Sequence, residues 1–594
     1  MIIGIDLGTT NSLACVYRNG KAELIPNGLG GYLTPSVVSL DESGEVLVGA
    51  VARERLVSNP ADTAASFKRF MGSKKTFPLR QREFTPQELS AFVLRQLKQD
   101  AERYLGGEVT EAVISVPAYF NNNQRAATLE AGRIAGLHVE RLVNEPSAAA
   151  LASSMLSDED EQSYLVFDFG GGTLDVSVVD CFQNIIEIVA VSGDNHLGGN
   201  DFDERIAAFF CKSHQMDLDA LPPQKQAVLR RLSEKAKREL SEKESTFLHM
   251  NIDGEDKAVI LNNEILIGCC TDLFDRMERA VVHALRDSGC TVDDIDVIVM
   301  AGGSCKMPVV AYFLEKLFGK KPVMIGSPDE VVAQGAGIYA GIKARDEEIR
   351  DVLLTDICPF TLGVGSYNPN DRGRNIMTPV IERNSVLPVA KTEYFTNVHD
   401  KQKEIEFPIY QGESFDCSEN LCLGRIAIAI GQAMAGEARV SVTFSYDING
   451  ILVVDVVDDK GTNRAQQVFM SEGANLTEEE MRQKIEELKK YRISSNGDER
   501  DRLLLARGKR IYQELIGSDR ENVAAALREF EAVLAVNNRR AIHVMRQRLA
   551  ELFGVYEEFL NEEFLNEEFL NEEFLNEGFM DKEFLDKEFL DKEF

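Results

Sequence analysis

Apolar and polar positions alternate in blocks over the first 350 residues. Short apolar runs at Met1 to Ile5, Leu13 to Tyr17, Ala112 to Val116, Tyr164 to Phe167, Val176 to Val179, Ile185 to Val191 and Val297 to Met300 read as strands. Helical stretches lie between them: Pro86 to Arg103, Gln124 to Ala135, Phe202 to Cys211 and Leu273 to Asp287. Strands interleaved with helices predict an α/β domain over 1–350. A short apolar segment between charges, Asp351-Val352-Leu353-Leu354-Thr355-Asp356, then breaks the texture. From Cys358 to Met470 the strands are short and alternating. Arg439 to Tyr446 and Ile451 to Val457 flank the hairpin signal Asp447-Ile448-Asn449-Gly450, so this region reads as a β-sandwich or barrel. Helix returns at Thr477, where Thr477 and Glu480 form a capping box with Leu476 and Met481 as its staple. Met481, Ile485 and Leu488 then share one face, and further helices are expected at Arg500 to Ile516, Glu521 to Ala535 and Arg540 to Phe553.

The end of the chain follows neither period. From Glu557 to Phe594 the unit Glu-Phe-Leu-Asn-Glu recurs every five residues and drifts to Lys-Glu-Phe-Leu-Asp. Five residues advance a helix by about 140°, so the Phe-Leu pairs spiral around it; in a strand they switch faces. Neither form buries them. The acidic excess favours a solvated, disordered tail over 557–594, with docking into a partner groove as the alternative.

Composition narrows the function. A chain of 594 residues holds several domains, and its 44% apolar content is ordinary for globular proteins. A formal charge of −32 argues against nucleic acid as a partner. No apolar run reaches the ~18 residues that span a bilayer. Met1 leads straight into the first strand, leaving no room for a removable signal, so a cytoplasmic protein is expected. The 10 cysteines are scattered without a C-x-x-C pair. Cys269 and Cys270 are adjacent, which is awkward for a mutual disulfide. Small buried hydrophobes in a reducing compartment are expected, and zinc is not.

The chemistry concentrates in a repeated design. Ile5-Asp6-Leu7-Gly8-Thr9-Thr10-Asn11 and Asp168-Phe169-Gly170-Gly171-Gly172-Thr173-Leu174-Asp175 each put Asp at a strand end, then a Gly/Thr turn, then a second apolar run. Glycine lets backbone approach an anion, and N–H groups and Thr hydroxyls donate to phosphate. Two facing carboxylates, Asp6 and Asp168, can hold hydrated Mg2+ on that phosphate. Two copies about 160 residues apart suggest a duplicated nucleotide-binding fold. The run from Gly193 to Asp203 is a Gly-containing loop opening a helix, suited to phosphate. Ala301-Gly302-Gly303-Ser304, after a strand, can admit a nucleoside. Glu234, Arg238 and Ser241 are spaced to share one helix face. No P-loop pattern occurs, so a cation must come from elsewhere, and Lys68 is the candidate. Glu145, before Pro146, is expected in extended backbone and is a candidate for positioning water.

Together these strings resemble the seventy-kilodalton heat-shock chaperones, the DnaK-type family. Lys68-Arg69-Phe70-Met71-Gly72, Val116-Pro117-Ala118-Tyr119-Phe120-Asn121, Asn144-Glu145-Pro146-Ser147-Ala148-Ala149-Ala150 and His196-Leu197-Gly198-Gly199 carry the resemblance beside the two turns, over roughly 1–490. The abbreviated length is most similar to the bacterial HscC-type branch. The resemblance implies a multidomain protein: an actin-like, duplicated ribonuclease-H-like α/β ATPase domain at 1–350, a linker at 351–357, a β-sandwich peptide-binding domain at 358–474 and a helical lid at 475–556. It implies an ATP-dependent, stress-responsive chaperone that binds exposed apolar segments of unfolded polypeptides, with ATP favouring release and hydrolysis favouring capture. ATP or ADP with Mg2+ are the implied cofactors, K+ is an additional candidate ion, and a J-domain co-chaperone is the implied partner.

By matched position, catalysis falls to Lys68, Glu145, Asp175, Thr173, Asp6 and Asp168, the last and Asp6 holding Mg2+ through water. Nucleotide contacts fall to Gly8, Thr9, Thr10, Asn11, Gly170, Gly171, Gly172, Thr173, Gly198, Gly199, Glu234, Lys237, Arg238, Ser241, Gly302, Gly303, Ser304, Lys306 and Asp329. Val364, Phe395, Val398, Ile405 and Phe407 would line the peptide cleft, although alternation alone allows them as sandwich core. Pro117, Arg125 and Arg141 fall where the family relays nucleotide state. Lys306 replaces the usual Arg, which weakens stacking on adenine. Thr355 replaces a linker Leu, and the segment between Ser241 and Val297 is short, which leaves exchange-factor contact open. A sugar or acetate kinase on the same ATPase fold is the alternative, but it has no use for the 358–470 region. An actin-like filament protein is a third reading.

Overall fold

The structure, a computed structural model, describes residues 1–154, 161–182, 185–252, 254–345, 353–367, 375–431, 433–448, 450–469, 478–491, 493, 498–515, 517–536 and 538–562. Asp351 and Val352, Asn449, the expected cap residues Leu476 and Thr477, and 563–594 of the repeat tail lie outside the described residues. The chain forms two compact units, Met1–Glu499 and one beginning at Arg500.

The first unit contains two six-stranded sheets with a shared design. In one, Ile2–Leu7 lies between the parallel Glu111–Val116 and its antiparallel hairpin partner Asn11–Arg18. In the other, Glu161–Phe169 lies between the parallel Val297–Ala301 and the antiparallel Leu174–Phe182. The repeated strand-turn-strand pattern thus reappears as repeated topology. These strands are near-continuous apolar runs because helices cover the sheets. Two such helices, Glu145–Ser154 and Val331–Lys343, join the sheets through one core with Val113, Val143, Val166 and Val299. They cross closely because the contact is made of small residues: a Cβ on Gly335 would stand 1.8 Å from the Ala148 carbonyl oxygen.

Helices start where caps dictate. Thr85 and Glu88 form a capping box on Pro86–Leu105, and Asn121 and Gln124 form one on Asn122–Ile134, which therefore begins ahead of its apolar stripe. Leu353–Ile357 is a strand, parallel to Ile185–Asp194 at the margin of the second sheet and antiparallel to Val386–Leu387. Two four-stranded antiparallel sheets follow. Asn375–Ile381, Leu362–Tyr367, Glu404–Gln411 and Leu421–Ala429 form one; Val389–Thr396, Arg439–Tyr446, Leu452–Asp458 and Arg464–Phe469 form the other. Their inward residues, among them Val364, Ile409, Val442 and Val454, make one core.

The helix Glu478–Lys489 buries Leu488 fully and sets Met481 against the core of the N-terminal sheet, with Phe84 and Phe92. Arg95 Nη1 donates to the Leu488 carbonyl at 3.4 Å, and Lys484 pairs with Glu130 at 2.7 Å. In the second unit, residues 500–514 of the helix Glu499–Glu514, with Gly517–Val536 and Arg539–Glu562, enclose Ile511, Phe530, Leu549 and Phe553. The last helix runs beyond 557, and Arg507 and Arg510 both pair with Glu557. The start of the expected disordered tail is therefore helical: two buried-side guanidiniums hold its first acid. Among the described residues no helix is long and apolar enough to cross a membrane.

Candidate functional site

The two Gly/Thr turns face each other. A Cβ on Gly171 would stand 1.8 Å from Thr10 Oγ1, and one on Gly172 would stand 2.4 Å from Thr9 Cγ2. The turn at 8–11 closes on itself as tightly, since a Cβ on Gly8 would meet the Asn11 carbonyl oxygen at 2.0 Å. At the floor, Asp6 Oδ1 accepts from Ser115 Oγ at 2.8 Å, and Asp175 Oδ1 accepts from the Tyr119 N–H at 3.2 Å. Thr173, Asp168 and Asp175 are buried. Asp175 Oδ2 and Thr10 Oγ1 have no hydrogen-bond partner among the described residues.

One cation enters this group of acids. Lys68 Nζ donates to Glu145 Oε1 at 2.7 Å, with both side chains under a tenth exposed at 4% and 8%. Burial, reinforced by the Glu145 charge, raises Asp6 and Asp175 to about 7. The same two causes hold Asp168 well above the usual carboxylate range. Among the described residues, three buried acids and the half-buried Asp6 against one lysine make a site short of positive charge. Glu145 is the first residue of the helix Glu145–Ser154, not extended as expected. Pro146 falls in the first turn, where its missing N–H costs nothing, so the helix begins at Glu145 and aims its carboxylate at Lys68.

Gly198 abuts the backbone of the 170–173 turn: a Cβ there would stand 2.4 Å from the Gly172 nitrogen. Ser304 Oγ donates to the Gly170 carbonyl at 2.9 Å. Lys237 Nζ donates to the Gly199 carbonyl and pairs with Asp203, each at 2.7 Å. Gly302 takes φ 81° against Phe169, Gly303 lies against Asp329, and Asp329 pairs with Lys306. Glu234 accepts from Arg238 on its own helix and from Arg53, each at 2.6 Å. The helix Pro223–Glu239 stops before Ser241, which sits in the following turn and donates its N–H to the Arg238 carbonyl at 3.0 Å.

Spacing could not reveal the bonds that join the two sides of this cleft. Arg69 pairs with Asp201, Asn200 Nδ2 donates to Ser66 Oγ at 3.1 Å, and Arg53 reaches Glu234. The only signal was that Arg69 adjoins Lys68 and that Asp201 follows Gly198-Gly199-Asn200. Behind the site, Arg125 donates to the carbonyls of Phe120 and Ala118 and to Asn144 Oδ1 at 3.0, 3.1 and 2.7 Å. Asn144 Nδ2 donates to Asp356 at 2.6 Å, and Arg141 stacks over Tyr339 at 4.7 Å. Pro117 begins the turn that leads to Tyr119.

The sandwich residues divide. Val364, Ile405 and Phe407 are buried, Phe395 is half-buried with its ring 5.4 Å from Phe407, and Val398 is exposed at 45%. Asn397 braces the neighbouring turns, donating to the His399 and Met434 carbonyls at 3.0 and 2.9 Å.

A family model described as Hsp70 protein matches residues 2–78 and 75–524. The chain is similar to the protein named Chaperone protein DnaK from Thermotoga neapolitana, 41% identical over 507 residues that cover 82% of this chain and 83% of that one. The proteins of that name from Thermotoga maritima and Thermosipho africanus are each 41% identical, with the same coverage.

Proposed function

This chain belongs to the Hsp70 family of ATP-dependent chaperones, and from that premise we propose how its own residues divide the work. It is an ATPase and a chaperone. The layout is an actin-like ATPase domain of two ribonuclease-H-like halves over 1–350, a linker at 351–357, a peptide-binding sandwich at 358–474 and a helical segment from 475. The repeated sheet topology supports the duplication.

The observation that carries the assignment is the pair of facing turns with Lys68–Glu145 between their carboxylates. The 8–11 and 170–173 turns hold phosphates. Gly198, Gly199, Glu234, Lys237, Gly302, Gly303, Ser304, Lys306 and Asp329 border the adenosine. Lys68 steadies the terminal phosphate while Glu145, Thr173 and Asp175 orient the attacking water, which is electrostatic positioning with little covalent chemistry. Hard carboxylates with raised proton affinity fit Mg2+, which Asp6 and Asp168 would hold through water. When bound, that ion neutralises triphosphate charge.

Clients are exposed apolar stretches of unfolded chains, taken near Phe395 and Val398, and a J-domain protein speeds turnover. Release of a fluorescent apolar peptide, followed with and without ATP, tests the reading. ATP should accelerate release in the intact chain, and a Lys68→Ala chain, which binds ATP without turning it over, should release peptide and fail to recapture it. A chain whose release rate ignores ATP would overturn it.

A further inference from the structure

Cys269 ends the helix Asn263–Cys269, and Cys270 stands between it and Thr271–Ser288 in non-helical backbone at φ −116°, ψ 13°. Their sulfurs are 3.8 Å apart. A disulfide needs about 2.05 Å, and neighbouring Cα atoms about 3.8 Å apart fall below the ~4.4–6.8 Å that disulfides usually span. The spacing suits a bridging atom instead. Two bonds of about 2.3 Å separate their sulfurs by about 3.8 Å at the tetrahedral angle and by about 3.4 Å at the narrower angle of a pyramidal centre, so a small closure of the pair suffices.

The pair is also chemically unequal. Cys269 is half-buried and Cys270 buried, so approach is from Cys269. The Cys270 thiol hydrogen-bonds toward Cys269 and draws it below its ordinary value, while burial pushes Cys270 up. Arg205, which pairs with Asp272 at 2.6 Å, adds a positive field. Among the described residues no group of three or more His, Cys, Asp or Glu side chains converges. Two sulfurs suit a three-coordinate soft centre that brings its own third substituent.

We propose that Cys269 and Cys270 form a vicinal-dithiol site that captures a monosubstituted trivalent arsenical. Cys269 bonds first to the arsenic of an aryl arsenoxide, and Cys270 closes the ring. Two S–As bonds form, the arsenic–oxygen bond breaks, and the oxygen leaves as water with both thiol protons; arsenic stays trivalent. The second bond is intramolecular, so a monothiol competes poorly for the adduct.

The test uses the reduced full chain with one equivalent of phenylarsine oxide, excess glutathione and intact mass measurement. One adduct per chain should survive glutathione and leave on addition of 2,3-dimercaptopropanol. Cys269→Ser and Cys270→Ala should each lose the glutathione-resistant adduct, with folding checked by circular dichroism. Cys422→Ser, which removes the exposed thiol, should keep it. No resistant adduct on the unaltered chain, or its retention in folded Cys269→Ser or Cys270→Ala, would overturn the proposal. If Cys270→Ala does not fold, Cys269→Ser alone decides.

Discussion

Lys68 Nζ stands 2.7 Å from Glu145 Oε1, and this contact brings a lysine into the cluster of Asp6, Asp168 and Asp175 at the cleft floor. Removing one partner of a buried pair costs about 3–5 kcal/mol because the other charge stays buried. Lys68→Ala should therefore lower the melting temperature of the nucleotide-free protein and slow single-turnover ATP hydrolysis by about 100-fold or more. Adding Glu145→Ala should recover part of the stability and none of the rate. A Lys68→Ala chain that hydrolyses ATP at the original rate would refute the assigned role.

The acids set a pH dependence of definite sign. Asp6 and Asp175 are raised from 3.8 to about 7. Between those values the folded chain binds more protons than the unfolded one, so these groups subtract stability as pH rises from about 4 to about 7. Without nucleotide, the melting temperature should fall across that window, and Asp175→Asn should flatten the fall. Magnesium nucleotide opposes protonation, so its affinity should climb across the same window, by up to about tenfold per pH unit for one displaced proton. Calorimetry in matched buffers at pH 5, 6, 7 and 8 checks both slopes; a flat or inverted affinity profile contradicts the charge deficit.

Gly198 offers a steric test without touching a charge. Its Cβ would press on backbone, 2.4 Å from the Gly172 nitrogen and 2.5 Å from the Gly171 carbonyl carbon, where no flexible side chain can yield. Gly198→Ala should spread the 170–173 turn and weaken ATP binding at least tenfold, about 1.4 kcal/mol. Gly30, with open space around its Cβ, is the control: Gly30→Ala at φ 88° costs some stability and leaves ATP affinity unchanged. Isothermal titration of both variants separates the two effects.

The turns were legible in the sequence because glycine, threonine and aspartate at strand ends have few other uses, and the second copy removed the ambiguity of the first. Local rules misled at Glu145, where the bias of a residue before proline yields to a helix that starts there. They overran at Ser241, which was read as part of the helix but lies in the turn after Glu239. Arg53, Arg69 and Asp201 were invisible for a different reason: their pairing joins positions more than 130 residues apart, and no local period records it. Of the expected face Met481, Ile485 and Leu488, Leu488 and Met481 pack with the N-terminal sheet's core, a surface that periodicity cannot name.

The joint between sandwich and ATPase sheets turns on Asn122. Its Oδ1 accepts from the Tyr446 hydroxyl at 2.8 Å and from Gln411 Nε2 at 3.4 Å, while its N–H donates to Gln411 Oε1 at 3.1 Å. Asn122 opens the helix that follows Tyr119, whose N–H binds Asp175, so a sandwich side chain sits a few residues from the floor of the cleft. Losing one such buried hydrogen bond costs about 1 kcal/mol, comparable to a typical coupling energy of ~1–3 kcal/mol. Tyr446→Phe should therefore cut the ATP-induced acceleration of peptide release about fivefold while peptide affinity without nucleotide stays unchanged. A double-mutant cycle with Asn122→Ala separates this bond from general damage, since the two changes should not add. Full ATP response in Tyr446→Phe would show that the hydroxyl fills space at the joint without transmitting anything through it.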